Sequence, residues 1–92
     1  MRCVYVCSAI RGKIPENSSK LTSYAEYVVE NGKIPVLPFL HGKDCNSLIF
    51  MCDELWVFGD NHTDEMIREI NLAKSINLKI KLIKDSEVNK IE

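Results

Sequence analysis

Glu69 is the residue of this sequence whose position most strongly suggests chemistry, because this carboxylate lies in the middle of an apolar helical stripe. At about 100° per residue, five apolar side chains fall within about 100° of it on a helical wheel: Met66, Ile70, Leu72, Ala73 and Ile76. Charged side chains are almost never fully buried unless they are paired, because burial without a partner costs several kcal/mol. The chain therefore holds an acid near its core, and function is one reason to do so.

A second group of chemical interest is the pentapeptide Ser8-Ala9-Ile10-Arg11-Gly12, which follows the first apolar segment. A guanidinium, a hydroxyl and a glycine that lets the backbone approach closely are the groups that hold an anion, and a phosphate is the expected guest. The alternative is that Arg11 is a solvated surface residue and Gly12 a turn residue.

Three further residues are possible companions of Glu69. Tyr5 alternates with valines in the first apolar segment, so its hydroxyl should be buried and need a partner such as a carboxylate, although it is alternatively a plain core aromatic. Asp53 opens a later strand, where an acid ordinarily marks a strand end in solvent. Glu65 precedes Glu69 by four residues on one helical face, so the two charges should repel, or Glu65 simply complements the helix dipole.

The bulk composition is that of a single domain covering residues 1–92, with 46% hydrophobic residues and a formal net charge of -1. The near-neutral balance argues against a partner such as a nucleic-acid polymer or a membrane. No run approaches the roughly 18 apolar residues of a membrane span, and no signal-peptide pattern is visible. A cytoplasmic location is the expectation.

The four cysteines do not have the spacing of a metal site. Cys3 and Cys7 point the same way from one strand but lie roughly 13 Å apart, and Cys45 and Cys52 lack a CxxC or CxxH neighbour. We therefore expect buried free thiols, and neither a metal nor a cofactor.

Strand-like and helical patterns alternate along the chain. Strands are predicted over residues 3–8, 34–38, 54–59 and 78–83, with the third central and the prolines of the second placing it at an edge. Helices are predicted from Ser18 to the stop signal Gly32 and from the N-cap Thr63 to about Asn77. Residues 41–52 are a short helix or turn, and the polar tail over residues 84–92 is expected to fray.

This order predicts a three-layer α/β fold, Rossmann-like or flavodoxin-like, with a small and mostly parallel sheet of about four strands. In such sheets ligands bind beyond the carboxyl ends of the strands. That rule selects residues 8–12, 38–42 and 59–65, which include Asp60 and Thr63 as further binding candidates. His41 and His62 lie in the same loops, although loop histidines are common.

The order of these motifs resembles the nucleoside 2-deoxyribosyltransferase-like superfamily, and within it the 2'-deoxynucleoside 5'-monophosphate N-glycosidases. Three stretches along residues 3–83 carry the resemblance: Val4-Tyr5-Val6-Cys7 running into Ile10-Arg11-Gly12, then Cys52-Asp53-Glu54-Leu55-Trp56-Val57, and then Glu69-Ile70 with Ala73.

The resemblance implies a role for each candidate residue. Glu69 matches the nucleophile that attacks the anomeric carbon of deoxyribose, Tyr5 the tyrosine that orients it, and Asp53 the acid that acts at the base. The 5'-phosphate is expected at Ser8, Ile10, Arg11 and Gly12, with Thr63 matching a phosphate-side hydroxyl.

The expected activity is thus cleavage of an N-glycosidic bond in a small nucleotide or nucleoside, by hydrolysis or by transfer of the deoxyribosyl group. A homo-oligomer is expected, because 92 residues leave the site shallow. Where the family usually has a glycine, four residues before the nucleophile, this chain has Glu65. The alternative function is therefore a binding module of the same fold that holds a nucleotide without cleaving it.

Overall fold

A computed structural model describes residues 2–8, 18–37, 46–59 and 62–88 of the chain. The strands are β1 (Cys3–Cys7), β2 (Ile34–Val36), β3 (Glu54–Phe58) and β4 (Lys79–Ile83). The helices are α1 (Ser18–Glu30), α2 (Asp64–Ser75) and the single turn α3 (Asp85–Val88), and a 3-10 helix spans Asn46–Met51. None of the described helices is long and apolar enough to cross a membrane.

The four strands form one parallel sheet in the order β2-β1-β3-β4. This arrangement confirms the predicted three-layer α/β fold of the Rossmann-like or flavodoxin-like type. It also confirms that the third strand is internal and the proline-containing second strand lies at an edge, where Pro35 interrupts little of the hydrogen bonding.

Alternation along the two internal strands creates a core on each face of the sheet. The first core joins the sheet to α1 through Val4, Val6, Trp56, Phe58, Leu21, Tyr24 and Val28. The second joins it to α2 and the 3-10 helix through Tyr5, Cys7, Leu55, Val57, Ile49, Met66 and Ala73. Because β1 and β3 are buried on both faces, their sequences are apolar on both faces rather than alternating, with Glu54 the exception.

Both long helices end at residues with a positive φ angle. Gly32 has a φ of 78° just after α1, in agreement with the predicted stop signal, and Asn77 has a φ of 62° after α2. The amide of Leu78 then donates to the carbonyl of Ala73 over 2.9 Å, which turns the chain directly into β4. The predicted second helix is therefore correct in its start and two residues too long at its end.

The edge strand β4 carries exposed lysines. Lys79 and Lys81 are both exposed, and the Lys81 ammonium lies 4.7 Å from the ring centroid of Trp56 on the neighbouring strand. Charged side chains on an edge strand discourage pairing with other chains, and a cation over an indole adds attraction within the sheet.

The prediction of a frayed tail from residue 84 onward is wrong for Asp85–Val88, which form α3. Asp85 fastens this turn to α1, because the Tyr24 hydroxyl donates to Oδ1 over 2.7 Å and the Lys20 ammonium lies 3.1 Å from Oδ2. Gly59 lies next to this contact with a φ of 90°, and a Cβ atom at this position would lie 3.5 Å from the Tyr24 hydroxyl. The polar composition of the tail concealed these long-range contacts.

The attachment of α3 should make folding stability depend on pH. Burial alone would raise the pKa of Asp85, but the hydrogen bond from Tyr24 and the hydrogen bond and charge of Lys20 outweigh it and hold the pKa below its ordinary value of 3.8. Because the folded-state pKa is depressed, the stabilisation is present above the ordinary value and is lost as the pH falls through the folded-state pKa.

We expect Asp85→Asn to lower the free energy of unfolding at neutral pH by about 1 kcal/mol, since the partly exposed ion pair is screened by water. The difference from the wild-type chain should shrink as the pH falls below the ordinary pKa of the carboxyl group. Urea denaturation at several pH values measures it, with the exposed Glu26→Gln as the control. A difference independent of pH would contradict this account.

Candidate functional site

The strand order places a topological switch point between β1 and β3. From β1 the chain crosses to β2 on one side, and from β3 it crosses to β4 on the opposite side. The connections that follow β1 and β3 therefore leave the carboxyl ends of these two neighbouring strands in opposite directions. Ligands in open parallel sheets bind at such a point. Ser8, which follows β1, is 3% exposed at this edge, and α2 begins beyond the end of β3.

Glu69 is held inside the protein between α2 and β1. The side chain is 3% exposed, and its Oε2 accepts a hydrogen bond from the Tyr5 hydroxyl over 2.7 Å. Its Oε1 lies 3.3 Å from the sulfur of Cys7. The expectation that the buried Tyr5 hydroxyl pairs with a carboxylate is confirmed. The buried acid on the apolar face of α2 contacts Tyr5 and Cys7, which project from the same face of β1.

Thr63 fixes the beginning of α2, as the sequence predicts. Its hydroxyl oxygen accepts from the amide of Met66 over 3.2 Å, while its own amide lies 3.4 Å from the Met66 sulfur. Met66 thereby replaces the glutamate or glutamine of an ordinary capping box. The cap fixes where the helix begins and so determines which of its residues face β1. The phosphate-side role of Thr63 stays a prediction.

Glu65 and Glu69 differ strongly in environment although they lie one helical turn apart. Glu65 is exposed, whereas Glu69 is buried below it. Water screens an exposed charge, so the repulsion between the two carboxylates is weaker than their spacing on one helical face suggests. Glu65 lies in the first turn of α2 with Asp64, where the helix dipole favours negative charge.

Asp53 lies at the amino end of β3, the opposite edge of the sheet from Ser8. Its Oδ2 accepts from the amide of Cys3 over 2.8 Å, and its own amide donates to the carbonyl of Cys3 over 2.8 Å. These two bonds align the beginnings of β1 and β3. Asp53 therefore has a clear structural task, and its action at the base stays a prediction that these contacts do not support.

Several predicted site residues lie outside the described part of the chain: Ile10, Arg11, Gly12 and Asp60, together with His41. His62 is described and is exposed. Of the predicted site, the structure therefore brings together Glu69 and Tyr5, places Thr63 and Glu65 at the start of the same helix, and places Ser8 directly after the strand that carries Tyr5.

The sequence interpretation missed the contact between Cys7 and Glu69. Cys7 was predicted to be a buried free thiol, and Cys3, Cys7 and Cys52 are indeed free. The signal was present, because Cys7 follows Tyr5 by two residues in a strand and must share its face. Cys52 is a different case: burial, and then the neighbouring Cys3 and Asp53, raise the pKa of its thiol to about 11, so this thiol is protonated at neutral pH.

A second buried carboxylate, Glu54, was also missed. It is 5% exposed on the α1 face, where it accepts from the Trp56 indole over 2.8 Å and lies 3.9 Å from the Lys33 ammonium. Trp56 is two residues away on the same face of β3, so this pairing was readable from the strand period. Among the described residues, no group of three or more histidines, cysteines and acids is arranged to hold a metal ion.

A groove on the described surface lies away from this site. It has a volume of about 380 Å³ and runs along α1 on the other face of the sheet, lined by Leu21, Thr22, Ala25, Glu26, Val29, Glu30 and Leu37. Its lining is almost entirely apolar and offers no buried titratable group. The arrangement of Glu69 is therefore the stronger candidate for chemistry.

The bond between Tyr5 and Glu69 should be visible as an energetic coupling. We expect Tyr5→Phe to lower the free energy of unfolding by about 1–3 kcal/mol, because it removes a donor from a buried carboxylate. Replacing both residues, as Tyr5→Phe with Glu69→Leu, should cost less than the sum of the single changes by about 1 kcal/mol or more, measured by urea denaturation.

Tyr27→Phe is the matched control, since the Tyr27 hydroxyl lies near the exposed Glu87 and should contribute less. Additive effects of the Tyr5 and Glu69 substitutions would mean that the hydrogen bond contributes nothing to folding.

Comparison with known proteins gives a family for the chain without giving an activity. A family model described as "Domain of unknown function (DUF7768)" matches residues 2–47, which is half of the chain and includes β1, α1 and β2. Neither a curated protein nor a solved structure matches the chain. On the strength of the family model, the chain belongs to the DUF7768 family of domains of unknown function.

Proposed function

We propose that this chain is an N-glycosidase-type enzyme that cleaves the bond between base and sugar in a small nucleotide or nucleoside, with Glu69 as the nucleophile. The observation that carries the proposal is the buried Glu69 carboxylate, held at 2.7 Å by the Tyr5 hydroxyl beside the switch point of a parallel sheet. Covalent glycosidic catalysis requires a carboxylate in a fixed orientation, and this hydrogen bond provides it.

The proposed reaction has two steps at the anomeric carbon. In the first, a lone pair of a Glu69 oxygen forms a bond to the anomeric carbon while the bond to the base nitrogen breaks. The base leaves with the bonding electron pair and takes up one proton. In the second, the oxygen of water attacks the same carbon, the ester bond to Glu69 breaks, and one proton returns to solvent. A second base in place of water gives deoxyribosyl transfer.

Tyr5 has the positioning role in this scheme. Its hydroxyl donates to Oε2 and holds the plane of the carboxylate against β1, so that the other oxygen keeps a constant direction. Asp53 acts at a distance from this pair: it aligns β1 with β3 through Cys3. The resemblance assigns protonation of the base to Asp53. The proposal rests on the contact between Glu69 and Tyr5 and not on that assignment.

The substrate side of the proposal rests on the edge that follows β1. A phosphate is proposed to bind at the loop that begins with the buried Ser8, opposite the start of α2 at Thr63. A free nucleotide or nucleoside is the proposed partner, and a homo-oligomer in the cytoplasm the proposed state. The exposed apolar Val29 on α1 and Ile34 on the edge strand β2 give such an oligomer surface to cover.

A second candidate function is a binding module of the same fold that holds a nucleotide without cleaving it. The observation that favours it is the 3% exposure of Glu69, together with hydrogen-bonding partners on both carboxylate oxygens. A carboxylate in this state serves equally well to stabilise the packing of α2 on β1.

The decisive substitution is Glu69→Gln, which retains the shape and one acceptor oxygen but removes the nucleophilic charge. We expect release of free base from deoxynucleoside monophosphates to fall by about a thousandfold or more, measured chromatographically under single-turnover conditions. Glu26→Gln, the same change on the exposed face of α1, should leave the rate unaltered.

Equal rates in the wild-type chain and Glu69→Gln would exclude Glu69 as the nucleophile. Calorimetric binding of a monophosphate that is recovered intact after long incubation would establish the binding module instead.

Glu65 should affect phosphate-bearing substrates selectively. Its exposed charge at the start of α2 lies on the proposed phosphate side, so Glu65→Gln should lower KM for a deoxynucleoside monophosphate by about two- to fivefold. KM for the corresponding deoxynucleoside, which has no phosphate, should remain unchanged, and added salt should reduce the effect. Equal changes for both substrates would place the phosphate elsewhere.

A further inference from the structure

Cys3 and Cys52 meet at the amino end of the sheet, where β1 and β3 begin. The Asp53 amide donates to the Cys3 carbonyl over 2.8 Å, and the Cys3 amide donates to Oδ2 of Asp53 over 2.8 Å. Cys52 is the residue before Asp53. Neighbouring strands lie about 4.8 Å apart and one residue advances a strand by about 3.3 Å, so the Cα atoms of Cys3 and Cys52 lie roughly 5–6 Å apart. This spacing is that of a disulfide, which joins Cα atoms at about 4.4–6.8 Å.

The two side chains also share one face of the sheet. Cys52 belongs to the core on the α2 face and is 7% exposed, and Cys3 packs against the same core while remaining partly exposed. Burial is the largest cause that raises the pKa of the Cys52 thiol to about 11, and the neighbouring Cys3 thiol is the next. The two sulfur atoms are therefore close enough to interact electrostatically, and Cys3 is the one that solvent reaches more readily.

We propose that Cys3 and Cys52 are a reversible redox site, which closes to a disulfide when a peroxide reaches Cys3. Both thiols are free in this structure, which is therefore the reduced form. Where disulfides form in reducing compartments, they are usually transient and serve catalysis or redox sensing. The inference does not depend on the proposed N-glycosidase activity, because the pair lies at the opposite end of β1 from Ser8.

The reaction balances with one molecule of hydrogen peroxide as the oxidant. The Cys3 thiolate attacks one peroxide oxygen, the O–O bond breaks, and the departing hydroxide takes up a proton, which leaves Cys3 as a sulfenic acid. The Cys52 sulfur then attacks the Cys3 sulfur, the S–S bond forms, the S–O bond breaks, and the departing hydroxide takes the Cys52 proton to become water. The raised pKa of Cys52 assigns the first attack to Cys3, because the thiolate is the nucleophile.

The bridge joins the start of β1 to the residue that follows the 3-10 helix. The Cys52 amide donates to the carbonyl of Ile49 over 3.2 Å, and Ile49 is completely buried in the core on the α2 face. The chain between the two cysteines contains α1, β2 and the 3-10 helix. A cross-link across so long a loop removes conformational freedom from the unfolded chain, so the oxidised form should be the more stable one.

The test treats the full chain with hydrogen peroxide, blocks the remaining thiols with N-ethylmaleimide, and maps the cross-linked peptides by mass spectrometry. We expect a bridge between Cys3 and Cys52, and a thermal unfolding midpoint about 10 °C above that of the reduced chain, reversed by dithiothreitol. In the reduced chain, N-ethylmaleimide should label Cys3 at least about tenfold faster than Cys52, because Cys52 is buried and protonated.

Two variants assign the effect to this pair of cysteines. Cys3→Ser should abolish both the bridge and the rise of the unfolding midpoint. Cys45→Ser leaves the pair intact and should retain both.

The peptide map of the wild-type chain decides the question without any variant having to fold. An oxidised chain in which Cys3 carries a sulfinic or sulfonic acid while Cys52 keeps its thiol overturns the inference. A bridge that joins either cysteine to Cys7 or Cys45 overturns it as well. Release of base by Glu69→Gln tests the proposed function separately, so the failure of one leaves the other standing.

Discussion

The structure depends on the satisfaction of one buried carboxylate. Glu69 lies on the face of α2 that packs against the sheet, and Tyr5 and Cys7 of β1 meet its two oxygens there. Leaving such a group without partners would cost more than most single contacts contribute. The pairing therefore constrains three features together: the alternation of β1, the rotation of α2 about its axis, and the contact between them.

Each of these features has its own local determinant. Thr63 caps α2 through Met66 and so fixes the phase at which Glu69, three residues later, turns toward the sheet. Asp53 bonds twice to Cys3 and so aligns β3 with the start of β1, two residues before Tyr5. A slip of β1 by one residue would turn Tyr5 and Cys7 to the α1 face and take both of these donors away from the carboxylate. The cap at Thr63 and the bonds of Asp53 to Cys3 thus help to keep Tyr5 and Glu69 in contact.

Much of this organisation is readable from the sequence, because it follows from periodicity and capping. The strand pattern around Tyr5, the cap at Thr63 and the misplaced charge at Glu69 together predict the fold and a partner for the tyrosine, and the structure confirms them. The long-range contacts of the polar tail were not readable. In the sequence, Asp85 is simply a residue of the polar tail. In the structure it begins α3, which is attached to α1 by the hydrogen bond from Tyr24, 61 positions earlier.

The two buried carboxylates, Glu54 in the sheet and Glu69 on α2, lie at different places relative to the ligand-binding edge of the sheet. Glu54 lies at the amino end of β3 on the α1 face, with the Trp56 indole and the Lys33 ammonium around it. Glu69 contacts β1 from the other face at Tyr5 and at Cys7, the last residue of the strand. Parallel sheets bind ligands beyond their carboxyl ends, where helix amino termini converge and backbone groups remain to be satisfied. An acid at the amino end stabilises the fold alone, whereas an acid beside the last residue of β1 lies within reach of that edge. The same kind of paired burial that makes Glu54 structural therefore holds Glu69 in the place that the proposed reaction requires.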